Sequence, residues 1–339
     1  MDLYQESGFL NVEGIKKSPF IWMIGARRTG KTYGVSKYLL DHKLKFMYVR
    51  RTTGELDFAM SQRNFSFKNM EAEGYFLEGV RDGKYNYTIQ TMAGEDEEPD
   101  IVGSATSLTL VSKMRGFDGS WITDIMFDEF IPEKHVTRIP HEGDAVLNMY
   151  ETINGNRELE GKPPVRLWML ANSNNLNNEI LGAFGLRQKI ERMQARDQEY
   201  SEYRNMTIVL SMHSPISGRK RQTALYQALD DNAYTEMALN NTFAYDDFSG
   251  IKSRWIITEY RPRCRIGPYV ILDHKSNGSV LIVDRPAMPV TKVYELTDFS
   301  MRAFRIANAD LMQLYIYGML FFDSYETKAG MMPVLTFIQ

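Results

Sequence analysis

The chain is almost without cysteine. Cys264 is the only one, which rules out an internal disulfide and gives no mark of a disulfide-stapled secreted protein. Long apolar runs are missing too. The longest, near Leu311 to Phe322, is too short to cross a bilayer, carries Gln313 and reads as a core helix. The opening residues Met1-Asp2-Leu3-Tyr4-Gln5-Glu6 lack the basic start and apolar middle of a signal peptide. No charge of one sign dominates: the formal net charge of −3 argues against a protein that coats nucleic acid with its whole surface. Local patches remain available for phosphate contact: Lys43 and Lys45 with Arg50-Arg51, the stretch from Arg187 to Arg196, Arg219-Lys220-Arg221, and Arg261 to Arg265. Taken singly, each reads as a solvated face. There is no internal repeat. The expectation is a cytoplasmic globular chain, long enough for one large or two ordinary domains.

What is present is a phosphate-binding loop. Gly25-Ala26-Arg27-Arg28-Thr29-Gly30-Lys31-Thr32 fits G-x-x-x-x-G-K-[ST] without mismatch. Such a match arises by chance in roughly one chain in a hundred of this length. The setting narrows it further. Phe20 to Ile24 before the loop reads as a buried strand, and Lys31 to Asp41 after it as a helix with Val35, Tyr38 and Leu39 on one face. The glycines let successive N–H groups converge on a phosphate at a helix N-terminus. Lys31 then reaches the β- and γ-phosphates, and Thr32 offers its hydroxyl to Mg²⁺.

A second motif closes the apolar run Ile122 to Phe127 with Asp128-Glu129. Given the loop, Asp128 is the Mg²⁺-side carboxylate, and Glu129 the group that activates the attacking water. A second carboxylate beside the metal acid points to hydrolysis rather than transfer to a small acceptor. No N-K-x-D guanine-reading motif occurs, so ATP is the expected nucleotide.

Further apolar runs at Phe46–Val49, Leu108–Val111 and Val165–Leu170, a hairpin-like strand from Tyr85 to Thr91, and a helical face at Val146, Met149, Tyr150 and Ile153 complete an α/β pattern with a mostly parallel sheet. The expected organisation is an ATPase domain over 1–196, a polar linker over 197–226 and a smaller α+β domain over 227–339. In the last, strands are expected at Trp255–Tyr260, Tyr269–Asp273 and Val280–Asp284, with an Asn277-Gly278 hairpin turn and Asp298 capping a helical tail towards Phe322.

These residues resemble the DNA encapsidation ATPases of small tailed phages of the phi-29 type, motors related to the large terminases. The resemblance rests on Gly25-Ala26-Arg27 leading into Gly30-Lys31, on Tyr48-Val49-Arg50-Arg51, and on Phe127-Asp128-Glu129-Phe130-Ile131 followed by Glu133-Lys134. Leu147-Asn148-Met149, Asn156-Arg157-Glu158, Leu170-Ala171-Asn172 and Tyr234 to Leu239 continue it in order along nearly the whole chain. It implies a P-loop NTPase of the additional-strand, catalytic-Glu type and a C-terminal domain similar to an RNase-H-like nuclease without its catalytic acids. The implied assembly is a homo-oligomeric ring, a pentamer, at the portal vertex of a procapsid. There it threads double-stranded DNA, with a structural RNA in members of this type. It implies work in the host cytoplasm and absence from the mature virion.

The resemblance also suggests roles for single residues. Asn172 falls where related ATPases place a γ-phosphate sensor. Arg157 is a candidate finger towards a neighbouring subunit; family members can carry a second arginine two positions earlier, where Gly155 stands here. Lys113, or Arg115, is a second candidate acting on a neighbour. Arg27 is expected to contact the γ-phosphate or Glu129. Arg50-Arg51 braces nucleotide or lines a DNA track. Two rival functions stay open: a helicase or recombination-type ATPase on single strands, and a nucleotide-switched assembly protein with negligible turnover.

Overall fold

The computed structural model describes residues 2–83, 86–94, 97–113, 117–133, 136, 139–173, 176–229 and 250–336. They form two compact units. The first takes in the described residues up to Leu186 and from Met193 to 229; the second takes in Arg187–Arg192 and those from 250 onward.

In the first unit the elements are β1 (Phe20–Gly25), α1 (Lys31–Asp41), β2 (Phe46–Arg50), α2 (Thr53–Met60), β3 (Leu77–Asp82), β4 (Asn86–Thr91), β5 (Ile101–Ser107), β6 (Asp124–Asp128), α3 (Glu142–Asn154), β7 (Arg166–Asn172), α4 (Glu179–Ala183), α5 (Arg187–Ala195, whose first residues belong to the second unit), β8 (Tyr200–Tyr203), β9 (Met206–Ser211), α6 (Pro215–Lys220) and α7 (Ala224–Gln227). The strands make one nine-stranded sheet in the order β3-β4-β5-β2-β6-β7-β1-β9-β8. From β5 to β9 every pairing is parallel; β3, β4 and β8 are antiparallel additions. Strands covered on both faces carry near-continuous apolar sequence, and β6 is buried throughout its length. Strand β7 lies between β1 and β6, so an additional strand separates the loop strand from the acid strand.

Two expectations fail here. Leu108–Val111 is not a strand but part of the 3₁₀ helix Leu108–Lys113; the strand is β5, just before it. After Ile101 and Val102 its residues are small or hydroxyl-bearing, and they hide in a sheet interior where Ser104, Thr106 and Ser107 are all buried. Nor do residues 197–226 form a linker. They hold β8 and β9, and β9 pairs with β1 over its whole length, Phe20↔Met206 to Gly25↔Ser211. Polar flanks disguised a fully buried strand.

The second unit contains β10 (Tyr260–Ile266), β11 (Tyr269–His274), β12 (Val280–Asp284), β13 (Val293–Tyr294), α8 (Asp298–Ala307), α9 (Asp310–Ile316), β14 (Leu320–Phe322) and α10 (Tyr325–Leu335). Its sheet order is β13-β10-β11-β12-β14. The Asn277-Gly278 turn joins β11 and β12 as an antiparallel pair. Ile256 and Ile257 stay exposed, and the expected strand begins only at Tyr260. The cap of α8 is Thr297, whose side chain accepts from the Ser300 N–H, not Asp298. The apolar run expected as one core helix divides: α9 ends at Ile316, and Leu320–Phe322 leaves it to pair with β12 and bury Leu320 and Phe322. The stretch Tyr234 to Leu239 lies outside the described residues. Among the described residues no helix is long and apolar enough to cross a membrane.

Candidate active site

The phosphate loop leaves β1 at its carboxyl end. Gly25 has no room for a side chain: a Cβ there would lie 1.6 Å from Ser211 Oγ on β9. Gly30, at φ 83°, turns the chain into α1 through a left-handed conformation that a Cβ would strain. Arg28 adopts a similar φ of 62° without being glycine. Helix α1 begins at Lys31, so its unpaired N–H groups point into the loop.

Lys31 is folded over this loop. Its Nζ donates to the carbonyls of Gly25 (3.0 Å) and Ala26 (2.7 Å), and stands 3.4 Å from both Thr29 Oγ1 and Asn172 Oδ1. Thr29 Oγ1 in turn donates to the Ala26 carbonyl at 3.1 Å. Burial drives the Lys31 pKa down to about 7. An ammonium so desolvated favours an anion beside it. Asn172 ends β7 directly opposite Gly25 in the β1–β7 register, which is how a residue 141 positions away reaches the lysine.

Across the loop, Thr32 donates its hydroxyl to Asp128 Oδ1 at 3.0 Å. Asp128 is buried, and burial raises its pKa even though Arg50 opposes the shift. The next residue, Glu129, has φ 57°, unusual for a side chain of its size. That backbone turn sends Glu129 out of the strand line, where it is half exposed and bonded to Arg50 Nη2 at 2.5 Å.

Arg50 is the residue whose role the sequence left undecided. It stands at the end of β2, one position past the Val49↔Phe127 pair, and so beside Asp128. Its Nη1 lies 3.5 Å from Asp128 Oδ2, while Tyr48 donates its hydroxyl to the same oxygen at 3.4 Å. Arg51 points the other way. It is 1 % exposed and pairs with Glu142 at the start of α3, which removes it from any DNA track. Of the two contacts expected of Arg27, the one with Glu129 is not made: its carboxylate partner is Glu133, whereas Glu129 pairs with Arg50.

The two candidates for action on a neighbouring subunit are not gathered here. Arg157 donates from Nη1 to the carbonyls of Ser120 (2.9 Å) and Ile122 (3.1 Å) and from Nε to that of Pro163 (3.2 Å). Ser120 and Ile122 precede β6 and Pro163 precedes β7, so all three lie at the amino ends of these strands, away from Asp128 at the carboxyl end of β6. Lys113 is exposed at the end of the 3₁₀ helix after β5. Arg115 lies outside the described residues.

Three buried groups around the loop, Arg27 Nε, Arg50 Nε and Ser173 Oγ, have no hydrogen-bond partner among the described residues. Orphaned donors beside a buried ammonium fit an anionic ligand. Thr32 Oγ1 and Asp128 Oδ1, both hard oxygen donors, suit a Mg²⁺ ion that keeps most of its waters. One further cation was missed by the sequence reading: Lys220 of α6 donates to the Arg27 carbonyl inside the loop. Its only sequence signal was membership of the Arg219-Lys220-Arg221 cluster.

A glycine-framed loop between a parallel strand and a helix, a hydroxyl–Asp pair and an adjoining glutamate define a P-loop nucleoside-triphosphate site. The family model for the podovirus DNA encapsidation protein (Gp16) matches residues 5–302. The chain belongs to that family, which places it among phage DNA-packaging proteins. It is 28 % identical over 246 residues to a DNA packaging protein of Bacillus phage B103, covering 69 % of this chain and 67 % of the relative. The DNA packaging protein of Bacillus phage PZA is 27 % identical over 290 residues, 81 % of this chain and 78 % of that one. Among solved structures, a chain of the bacteriophage Phi-29 viral genome packaging motor assembly aligns with a TM-score of 0.63 at 22 % identity, over 94 % of this chain and 96 % of that one. At that identity the likeness is one of fold.

Proposed function

We propose that this chain hydrolyses ATP to drive double-stranded DNA into a preformed procapsid, working as a homo-oligomeric ring at the portal vertex. The observation that carries the chemistry is the convergence of Lys31, Thr32, Asp128, Glu129 and Asn172 at the carboxyl edge of one parallel sheet. The loop N–H groups and Lys31 bind the β- and γ-phosphates. Thr32 and Asp128 hold Mg²⁺, which when bound neutralises charge on the phosphate oxygens. Glu129, released from Arg50, accepts a proton from the attacking water, and Asn172 hydrogen-bonds the terminal phosphate.

The assembly follows the family. A cation from a neighbouring subunit completes the site; Arg157 reaches it only by giving up its three carbonyls, and Lys113 lies on the exposed surface. DNA is gripped by its phosphates, since packaging must ignore sequence. The partners are the portal, the procapsid and a structural RNA, and the ring is a pentamer that docks transiently in the host cytoplasm and leaves before the virion matures. The second unit is read as RNase-H-like but without nuclease activity. In support, Asp273 is held by Arg263 at 2.6 Å.

The test is steady-state ATP hydrolysis with and without duplex DNA. Glu129→Gln should bind ATP as tightly as the parent chain and lose turnover by about 10²–10⁴-fold. Normal turnover in that variant would overturn the catalytic assignment. Stimulation by single strands but not duplex would instead favour the helicase reading.

A further inference from the structure

The charge around the phosphate loop is lopsided. Lys31, Arg27 and Arg28 come from the loop itself, and a fourth cation, Lys220, arrives from α6, 193 residues further along. Its Nζ donates to the Arg27 carbonyl and is close enough to Lys31 for the two ammonium groups to repel. Among the described residues no carboxylate offsets it: burial, then Arg28, then Arg27 pull the Lys220 pKa down to about 8. A half-buried ammonium among cations is unfavourable until an anion is placed between them.

The placement of Lys220 is built, not incidental. Helix α6 follows directly from β9, the parallel neighbour of β1. Its cap, Ser214, is buried and donates to the Gly8 carbonyl at 2.9 Å; Arg219 donates to the Ser7 carbonyl. Both contacts fix the short helix to the segment that precedes the loop. Lys220, in the last turn, is thereby aimed back over Arg27 while its long stem keeps freedom at the tip.

We propose that Lys220 is a nucleotide-binding residue acting within its own subunit, contacting the terminal phosphate of the bound triphosphate and so making α6 distinguish triphosphate from diphosphate. The inference rests on the ATP reading of the site. Lys31 already serves the β- and γ-phosphates. Lys220 approaches from the Arg27 side and answers the extra charge that ATP carries over ADP. When that phosphate departs, the ammonium returns to the Arg27 carbonyl, the contact seen here.

Calorimetric titration of the full chain with Mg²⁺ and either an imido-bridged ATP analogue or ADP tests this. Lys220→Met should weaken the analogue by about tenfold to a hundredfold, the worth of one charged hydrogen bond. It should leave ADP within about twofold, and Lys220→Arg should restore most of the loss. Equal loss for both nucleotides, or none for either, would show that Lys220 only packs the loop, and the proposal falls. A measurement on the unaltered chain avoids any folding defect in the variants. Backbone amides of Ser217 to Arg221 should exchange hydrogen more slowly with the analogue than with ADP; equal exchange overturns the proposal. If the unaltered chain binds neither nucleotide, the ATP reading itself fails, an outcome distinct from a chain that binds both and ignores Lys220.

Discussion

Arg50 holds both acids of the Asp128-Glu129 pair: Nη2 is 2.5 Å from Glu129 and Nη1 is 3.5 Å from Asp128. The two contacts are unequal. Asp128 is buried, whereas the Glu129 side chain is 54 % exposed. Removing Arg50 with Arg50→Ala strands a buried carboxylate and should lower unfolding free energy by about 2–4 kcal/mol. Glu129→Gln disturbs only the exposed half and should stay within about 1 kcal/mol of the parent. Denaturant titration of both variants checks the ranking; equal midpoints would mean that Arg50 does not neutralise Asp128.

A second buried pair makes a different prediction. Arg51 Nη2 is 2.6 Å from Glu142 Oε1, and burial raises the Glu142 pKa against the pull of Arg51. Arg51→Met or Glu142→Gln alone should cost about 3–5 kcal/mol, while an apolar replacement of both recovers most of it. Duplex-DNA affinity of the folded double variant should not change, because Arg51 is inside. A drop in that affinity would return Arg51 to the DNA track.

In the second unit, Asp284 has its pKa raised by burial, then by Asp323 and Glu326. For an acid raised in the folded state, the native chain binds more protons between the unfolded pKa, about 3.9, and the folded value. The penalty therefore grows as pH rises through that window and is complete at neutrality. Asp284→Asn should raise the melting temperature at pH 7 and lose that advantage as pH falls below about 4. An advantage independent of pH would point to packing instead of charge.

The loop and its lysine were legible because their chemistry is local: eight consecutive residues set backbone turns, N–H directions and the start of α1. Asp128 and Glu129 were legible as an acid pair at a strand end. Their partner was not, since Arg50 meets Glu129 only through the β2–β6 register, 79 residues apart. Sequence likewise could not place Lys220 against Arg27, or give Arg27 to Glu133. Strand β5 was missed for a compositional reason. Its serines, threonine and glycine look like a turn, yet Phe46 lies so close that a Cβ on Gly103 would meet its carbonyl at 2.5 Å, and such a place accepts small side chains better than large ones. The neighbouring Leu108–Val111 run looked more strand-like and is not one.

Strand β9 has a practical consequence for anyone cutting this chain. A fragment ended at residue 196, where the polarity changes, would strip β1 of a neighbour along all six of its residues. The phosphate loop would then hang from an open, wholly apolar sheet margin, an invitation to edge-to-edge association. The shortest self-sufficient nucleotide-binding piece therefore runs past Ser211 and through Lys220, and the boundary that composition suggests is the one place not to cut.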